Sequence, residues 1–294
     1  MKIIGCVVFY YPTMDVIKNI ESYIDNIDNL IVVDNSSTKN ENIYNILEEK
    51  YGKKIIYIEN HDNLGIAKAL NIGAEKSLQM GCDWLLTMDQ DSRFINFSDY
   101  IRCLSTEIVL DNVAIIAANT MRNAHLYPRS LECEYEEKDI VITSANLVNM
   151  KHFKNIGGYD DEFFIDLVDF DFCLKARLHN LKILFFKNIL VEHNLGEVFK
   201  RKNILTGKMR EKREHSPQRA YYIARNYLSM AKKYSKIFPK EFGFLKVINI
   251  VFIHDVTKIL LYEDKKVAKL RAKIIALYHY LIGKMGRYDL DKKR

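Results

Sequence analysis

The 294-residue chain lacks most of the features that would settle its class at once. Its five cysteines (Cys6, Cys82, Cys103, Cys133, Cys173) are odd in number and scattered, with no C-x-x-C pair. That pattern argues against a zinc site and a disulfide framework, and it predicts reduced thiols in a cytosolic protein. The longest apolar runs, such as "VINIVFI" at 247–253, fall far short of a membrane span. No secretory leader is read at the start, where Met1-Lys2 leads straight into "IIGCVVFYY" without a small-residue cleavage site. Neither G-x-G-x-x-G nor a Walker A sequence occurs, which weakens dinucleotide and P-loop readings. There is no internal repeat, no low-complexity linker and no recognisable nucleic-acid motif, so a nucleic-acid partner is not expected.

What is present is an uneven charge distribution. Residues 1–194 hold 19 basic against 29 acidic side chains, a net −10, whereas residues 195–294 hold 25 against 9, a net +16. An acidic body with a basic tail implies different surroundings for the two parts. The tail reads either as a solvated helical face or as a surface for phosphates or anionic lipid.

The hydropathy pattern of the first 92 residues alternates. Largely apolar, β-branched segments at 2–10, 29–37, 54–60 and 83–92 read as strands, the second and fourth ending in polar turn residues, and helical spacing is read at 13–27, 40–50 and 63–81. Such alternation predicts right-handed βαβ units and a parallel sheet. Further helices are expected at 98–111, 150–157 and 167–180, and strands at 113–120, 139–150 and 181–188. From about 215 the pattern is helical and lysine-rich. The expected division is a core over 1–214 and a basic helical extension over 215–294.

Parallel sheets bind ligands beyond the carboxyl ends of their strands. Here those ends carry Tyr10-Tyr11-Pro12, Asp34-Asn35-Ser36-Ser37, "NHDNLG" (60–65) and Asp89-Gln90-Asp91-Ser92. Any one of these groups alone reads first as a turn or cap; their recurrence at successive strand ends points instead to a shared crevice. Asp89 and Asp91, one residue apart on an extended segment, share a face. Paired hard oxygen ligands of that kind suit Mg²⁺ or Mn²⁺ bridging to a nucleotide's phosphates.

The series "VVDNSS", "NLGIAKALNIG" and "DWLLTMDQDS" resembles the family-2 glycosyltransferases, with "DQDS" similar to their D-x-D motif. The resemblance continues through "GGYDDEFFIDLVDFDFCLKAR" (157–177). "VEHNLG" (191–196) and "SPQRAYYIARN" (216–226) look like the rhamnosyltransferase branch. It spans roughly 3–230, in the family's order, and it implies an α/β GT-A-type core with a mostly parallel sheet.

The resemblance also implies roles. Tyr10, Pro12, Asp34, Asn63, Gly65, Asp89 and Arg225 would bind the nucleotide-sugar, and Asp91 and His193 the metal. Asp169 would be the general base, and Ser144, Asn146 and Asp166 would lie on the acceptor side. For His193 a purely structural histidine is the competing reading, for Ser144 and Asn146 a strand-end turn, and for Arg225 a surface arginine. In many relatives an acid precedes the base, where this chain has Val168, so the register stays open among Asp166, Asp169 and Asp171. Helical spacing would place Asp166 and Asp169 on one face.

The implied function is inverting, metal-dependent transfer of a sugar, foremost L-rhamnose from dTDP-L-rhamnose, to a glycan or lipid-linked glycan. The setting would be synthesis of a bacterial surface polysaccharide such as O-antigen. The chain would work in the cytoplasm or peripherally at the inner membrane face, with 242–288 touching the membrane, its own core or a partner chain, a homodimer included. Three alternatives stand beside it: a UDP-sugar donor, a D-x-D phosphohydrolase using its first aspartate as nucleophile, and a non-catalytic scaffold that keeps the fold.

Overall fold

The computed structural model describes all residues except 106–109, 129, 194–197, 203–208 and 291–294. Two compact units result, Met1–Asp160 with Val168–Leu195, and Asp161–Leu167 with Gly196–Arg294.

The first unit opens with β1 (Ile3–Phe9), a wholly buried strand, followed by α1 (Asp15–Glu21), β2 (Asn29–Asp34) and α2 (Glu41–Tyr51). Next come β3 (Ile55–Glu59), α3 (Ile66–Gln79) and β4 (Trp84–Asp89). These strands pair in parallel in the order β3-β2-β1-β4. The second half adds β5 (Ser92–Phe94), α4 (Phe97–Leu104), β6 (Val113–Met121) and β7 (Tyr135–Glu137). It then runs through β8 (Asn146–Asn149), α5 (Met150–Ile156), α6 (Val168–Leu178) and β9 (Lys182–His193).

Among the described residues the sheet continues β4-β8-β6-β9-β5, with β7 also on β9. β6 and β9 are parallel, while β8, β5 and β7 enter antiparallel. The fold is therefore the expected α/β class, with antiparallel insertions on one side. On one face of the sheet a buried cluster runs from Ile3 and Val7 through Leu86 and Met88 to Phe186 and Val191.

Register does the positioning. Phe9 stands opposite Asp34, and Val8 opposite Asp89, so the two strand-end acids flank the end of β1. β9 runs five residues past the expected end at 188, because after a register shift it stays paired with β6 through Glu192 while β5 pairs along its other edge. That extension sets His193 directly across from Ser92. α3 lies tight against β1: a Cβ on Gly73 would come within 2.2 Å of the Cys6 Sγ.

Several expectations are corrected. The helix expected over 13–27 closes after one α-helical stretch and a short 3₁₀ turn at Ile24–Asn26. Of 139–150 only Asn146–Asn149 is strand. The end of the helix expected to 111 lies partly outside the described residues, as does the end of "VEHNLG". Cys103 and Cys133 form a disulfide, with Cα atoms 5.4 Å apart. Tertiary closure between α4 and the segment before β7 joins two cysteines 30 residues apart, a pairing no local spacing announces. The cysteine argument for a reducing compartment loses its premise there. Cys6, Cys82 and Cys173 are free and buried. Burial pushes the Cys6 and Cys173 thiols up to about 12, and Cys82 to about 11, which leaves them unreactive.

The second unit contains a hairpin, β10 (Val198–Lys202) with β11 (Met209–Arg213), and then helices. These are α7 (Pro217–Tyr234), α8 (Pro239–Phe242), α9 (Phe244–Ile248), α10 (Asp255–Tyr262) and α11 (Lys266–Leu281), with a π-helical stretch Asn249–His254 joining α9 to α10. No helix among the described residues is long and apolar enough to cross a membrane.

Candidate active site

Asp89, Asp91 and His193 each offer a ligand atom, all within 4.8 Å of one another. His193 Nδ1 lies 3.9 Å from Asp89 Oδ2 and 3.7 Å from Asp91 Oδ1. The two carboxylates are half-exposed while the imidazole is buried. The β4–β5 turn supplies the acids, and the β5–β9 register supplies the histidine. Beneath them runs a chain of hydroxyls that sequence reading missed. Ser92 Oγ pairs with His193 Nδ1, Ser144 Oγ donates to Ser92 Oγ at 2.8 Å, and Ser144 Oγ accepts the Asp89 N–H at 3.2 Å. Ser144, expected on the acceptor side, is buried in this chain and orients the cluster from below. Two carboxylates and an imidazole form a donor set that suits a small divalent cation.

The nucleotide-side residues divide into two groups. Tyr10 and Tyr11 are exposed at the end of β1, with ring centroids 4.8 Å apart in an edge-on arrangement. Tyr11 adopts φ +46, held by its N–H to Ser36 Oγ and its hydroxyl to Ser37 Oγ. Gln90, between the two acids, accepts the Tyr10 N–H and donates to the Tyr10 carbonyl. This reciprocal clasp locks the aromatic loop to the acidic turn. Pro12 lines a cavity of about 430 Å³ that also takes in Lys18, Asn19, Asp91 and Arg93.

Asp34, expected at the base or ribose, is engaged within the protein. Its carboxylate is buried and accepts from Asn40 Nδ2 (2.6 Å), Tyr57 OH (2.5 Å) and the Ser36 N–H (2.9 Å). Burial and that hydrogen bond to Asp34 both raise the Tyr57 hydroxyl, which stays a protonated donor. Asp34 thus shapes the end of β2. Asn35 extends the network, donating to the Gly65 carbonyl and accepting from Asn60, while Asn63 Oδ1 accepts the Gly65 N–H. Gly65 holds φ +86 at the entry to α3, a conformation that costs glycine little.

The three acids of "IDLVDFDF" have three different environments. Asp171 is fully buried and faces Lys175 Nζ at 3.2 Å; that ammonium also donates to the Gly158 carbonyl. Asp169 stands half-buried in the first turn of α6, its Oδ1 accepting the Phe170 N–H, and it lines a small cavity with Thr143, Asn146 and Tyr159. Asn146 is buried on β8 and donates to the Ile142 carbonyl. Asp166 departs from the shared helix face expected for it. It precedes the helix at φ +65, next to Leu167 at φ +64 and two residues after Phe164 at φ +58.

Within the second unit, α7 holds this left-handed segment. Asn226 Nδ2 donates to the carbonyls of Phe163 (3.0 Å), Ile165 (2.8 Å) and Asp166 (2.9 Å). Arg225, expected on a diphosphate, is fully buried. Its guanidinium donates to Asn226 Oδ1, the Glu162 and Gly286 carbonyls and Tyr221 OH. These contacts engage the guanidinium within the protein. Arg219 reaches Asp166 with both Nε and Nη2. Three non-glycine residues at positive φ are strained, so the amide that gathers their carbonyls should matter greatly. Asn226→Leu is expected to lower unfolding stability by about 3 kcal/mol or more, read from urea denaturation, because several buried acceptors lose their donor at once.

A mixed α/β sheet with an acidic turn and a histidine at its carboxyl edge is the arrangement that the comparisons with known proteins take up. Residues 13–96 match the model of Glycosyl transferase family 2. The chain is 28% identical over 248 residues to the dTDP-rhamnosyl transferase RfbF of Shigella flexneri, covering 77% of this chain and 79% of that protein. Over most of its length the chain is thus similar to a rhamnosyltransferase of this kind, and over residues 13–96 to the family-2 glycosyltransferases.

Solved structures agree on the fold. GalNAc-T7 with UDP, GalNAc and Mn²⁺ aligns at TM-score 0.62 and 14% identity over 96% of this chain. This chain spans 56% of the length of that GalNAc-T7 chain. Staphylococcus aureus TarS 1–349 with UDP-GlcNAc aligns at 0.60 and 14%, over 96% of this chain and 81% of its own. The Pyrobaculum calidifontis mannosyltransferase with GDP-Man and Mn²⁺ gives 0.58 and 11%, over 96% and 75%.

Proposed function

We propose that the protein transfers L-rhamnose from dTDP-L-rhamnose to a hydroxyl of a glycan or lipid-linked glycan, with inversion and with Mg²⁺ or Mn²⁺. The observation that carries this reading is the Asp89-Asp91-His193 cluster at the carboxyl edge of the sheet. The likeness to a dTDP-rhamnosyl transferase over most of both chains supports the donor. Synthesis of a bacterial surface polysaccharide is the setting this donor suggests.

Asp91, Asp89 and His193 would hold the cation, whose chemistry is to stabilise negative charge on the departing diphosphate. Tyr10 and Tyr11 offer exposed faces on which a base can stack. Asp169 takes the proton of the attacking acceptor hydroxyl onto its carboxylate. The acceptor oxygen forms its bond to the anomeric carbon from the opposite side, and the bond from that carbon to the diphosphate oxygen breaks, its electron pair leaving with the phosphate. Two observations support Asp169 over its neighbours: Asp171 is buried against Lys175, and Asp166 is engaged by Arg219.

A thermal-shift panel of nucleotide-sugars with and without Mn²⁺ tests the donor. Ligand at a hundred times its Kd should add about 2.7 kcal/mol of stability, so dTDP-rhamnose with Mn²⁺ should raise Tm above every UDP-sugar. Greater stabilisation by a UDP-sugar would reassign the donor. Residues 1–214 would carry the nucleotide-sugar chemistry, and residues 215–294 would form the basic helical extension.

A further inference from the structure

α11 is built inside out. Lys269, Lys273 and His279 are buried on its inner face together with Ala272 and Ala276. Lys269 Nζ meets Glu214 Oε1 and Glu263 Oε2 at 2.5 and 2.8 Å, and Lys273 Nζ reaches Asp255 Oδ2 at 3.1 Å and the Val251 carbonyl. The opposite face carries Val267, Ile274, Tyr278 and Leu281, which are 82%, 69%, 56% and 71% exposed. Their spacing of seven, four and three residues forms one stripe along the helix, interrupted by exposed Arg271. The neighbouring helical segment repeats the pattern with exposed Ile253 and Leu260, seven residues apart. A helix that spends ion pairs on its inner face and leaves aliphatic side chains outside presents a surface meant to be covered.

We propose that this stripe docks in the plane of an anionic lipid surface. Charge selects that occupant. Residues 265–290 contain seven basic side chains and one acid, Asp289. Lys269 and Lys273 are paired internally, and Lys265, Lys266, Arg271 and Lys284 lie around the stripe. A second copy of this chain would bring the same positive charge against itself, whereas anionic headgroups complement it. Arg271 within the stripe suits a headgroup contact, since its aliphatic stem lies along apolar surface while the guanidinium reaches the polar layer. The sixteen residues of α11 span about 24 Å, which fits a helix lying in the interface and not one crossing it. The inference is independent of the donor and of the reaction.

Flotation of the full chain with vesicles of phosphatidylcholine, alone or with one-third phosphatidylglycerol, tests it. Binding is expected to the mixed vesicles and to weaken in high salt. The double variant I274E/L281E should lose binding by about tenfold or more, and the pair K265E/R271E by roughly tenfold. All four positions are exposed, so circular dichroism and melting should match the parent chain, and glycosyl transfer to a water-soluble acceptor should persist. Absence of binding by the folded parent chain overturns the proposal, as does binding that neither variant weakens. A dimer in sedimentation that I274E/L281E converts to monomer would overturn it in favour of a second copy.

Discussion

Asp91→Ala is expected to abolish the Mn²⁺-dependent part of donor binding and to cut turnover on the order of a thousandfold or more. The side chain sits half-exposed at the tip of the β4–β5 turn, 3.7 Å from His193 Nδ1. Its removal leaves Asp89 and His193, two donors where three converge, and small divalent ions are held poorly by so few. The structure around it should survive, because the Tyr10–Gln90 clasp and the Ser144–Ser92 hydroxyl pair do not involve this carboxylate. Calorimetric titration of the donor with and without Mn²⁺ separates the possibilities. Equal loss of binding in both conditions would mean a distorted pocket, and an unchanged Mn²⁺ effect would remove Asp91 from the metal site.

Asp169→Asn should act on the other half of the reaction. Removing a general base costs roughly 10²–10⁴-fold in turnover, so kcat should fall by that much while donor affinity holds. The neighbours provide the contrast. Asp171→Asn takes the carboxylate away from Lys175 in a fully buried site. It is expected to cost on the order of 2–3 kcal/mol of stability with a smaller loss of kcat per folded molecule. Asp166→Asn weakens the pair with Arg219 at the mouth of the left-handed segment and should be the mildest of the three. If Asp169→Asn retains transfer while Asp166→Asn does not, the base lies at 166.

Much of this arrangement was legible before any coordinates. The four parallel strands announced themselves by largely apolar, β-branched runs, and parallel strands put their carboxyl ends on one edge, which is why Asp34, Asn63, Asp89 and Asp91 could be grouped. His193 required the resemblance, and its reason is a register between β5 and β9 that pattern alone does not reveal. What escaped notice depends on contacts distant in sequence. Ser92 and Ser144 look like turn residues until their hydroxyls are found under the histidine. Arg225 carries a charge that suggests a ligand, but full burial against carbonyls is a tertiary fact. Cys103 and Cys133 gave no spacing signal for the same reason. Asp166 defeated the helical count because left-handed residues precede α6, and nothing in "FFIDL" marks them as such without glycine.

The segment Asp161–Leu167 carries one more consequence. It belongs with Gly196–Arg294, yet chain from the first unit flanks it on both sides, so the polypeptide passes between the units three times. A protein threaded in this way has no single peptide bond at which it can be cleanly divided. Ending the chain near residue 195 or 214 deletes Asn226, and with it the donor for three carbonyls of a strained stretch lying one residue upstream of α6. A truncated product is therefore expected to be aggregated or readily digested by protease, while the intact chain resists. Engineers seeking a minimal transferase would do better to shorten the surface than to sever the tail.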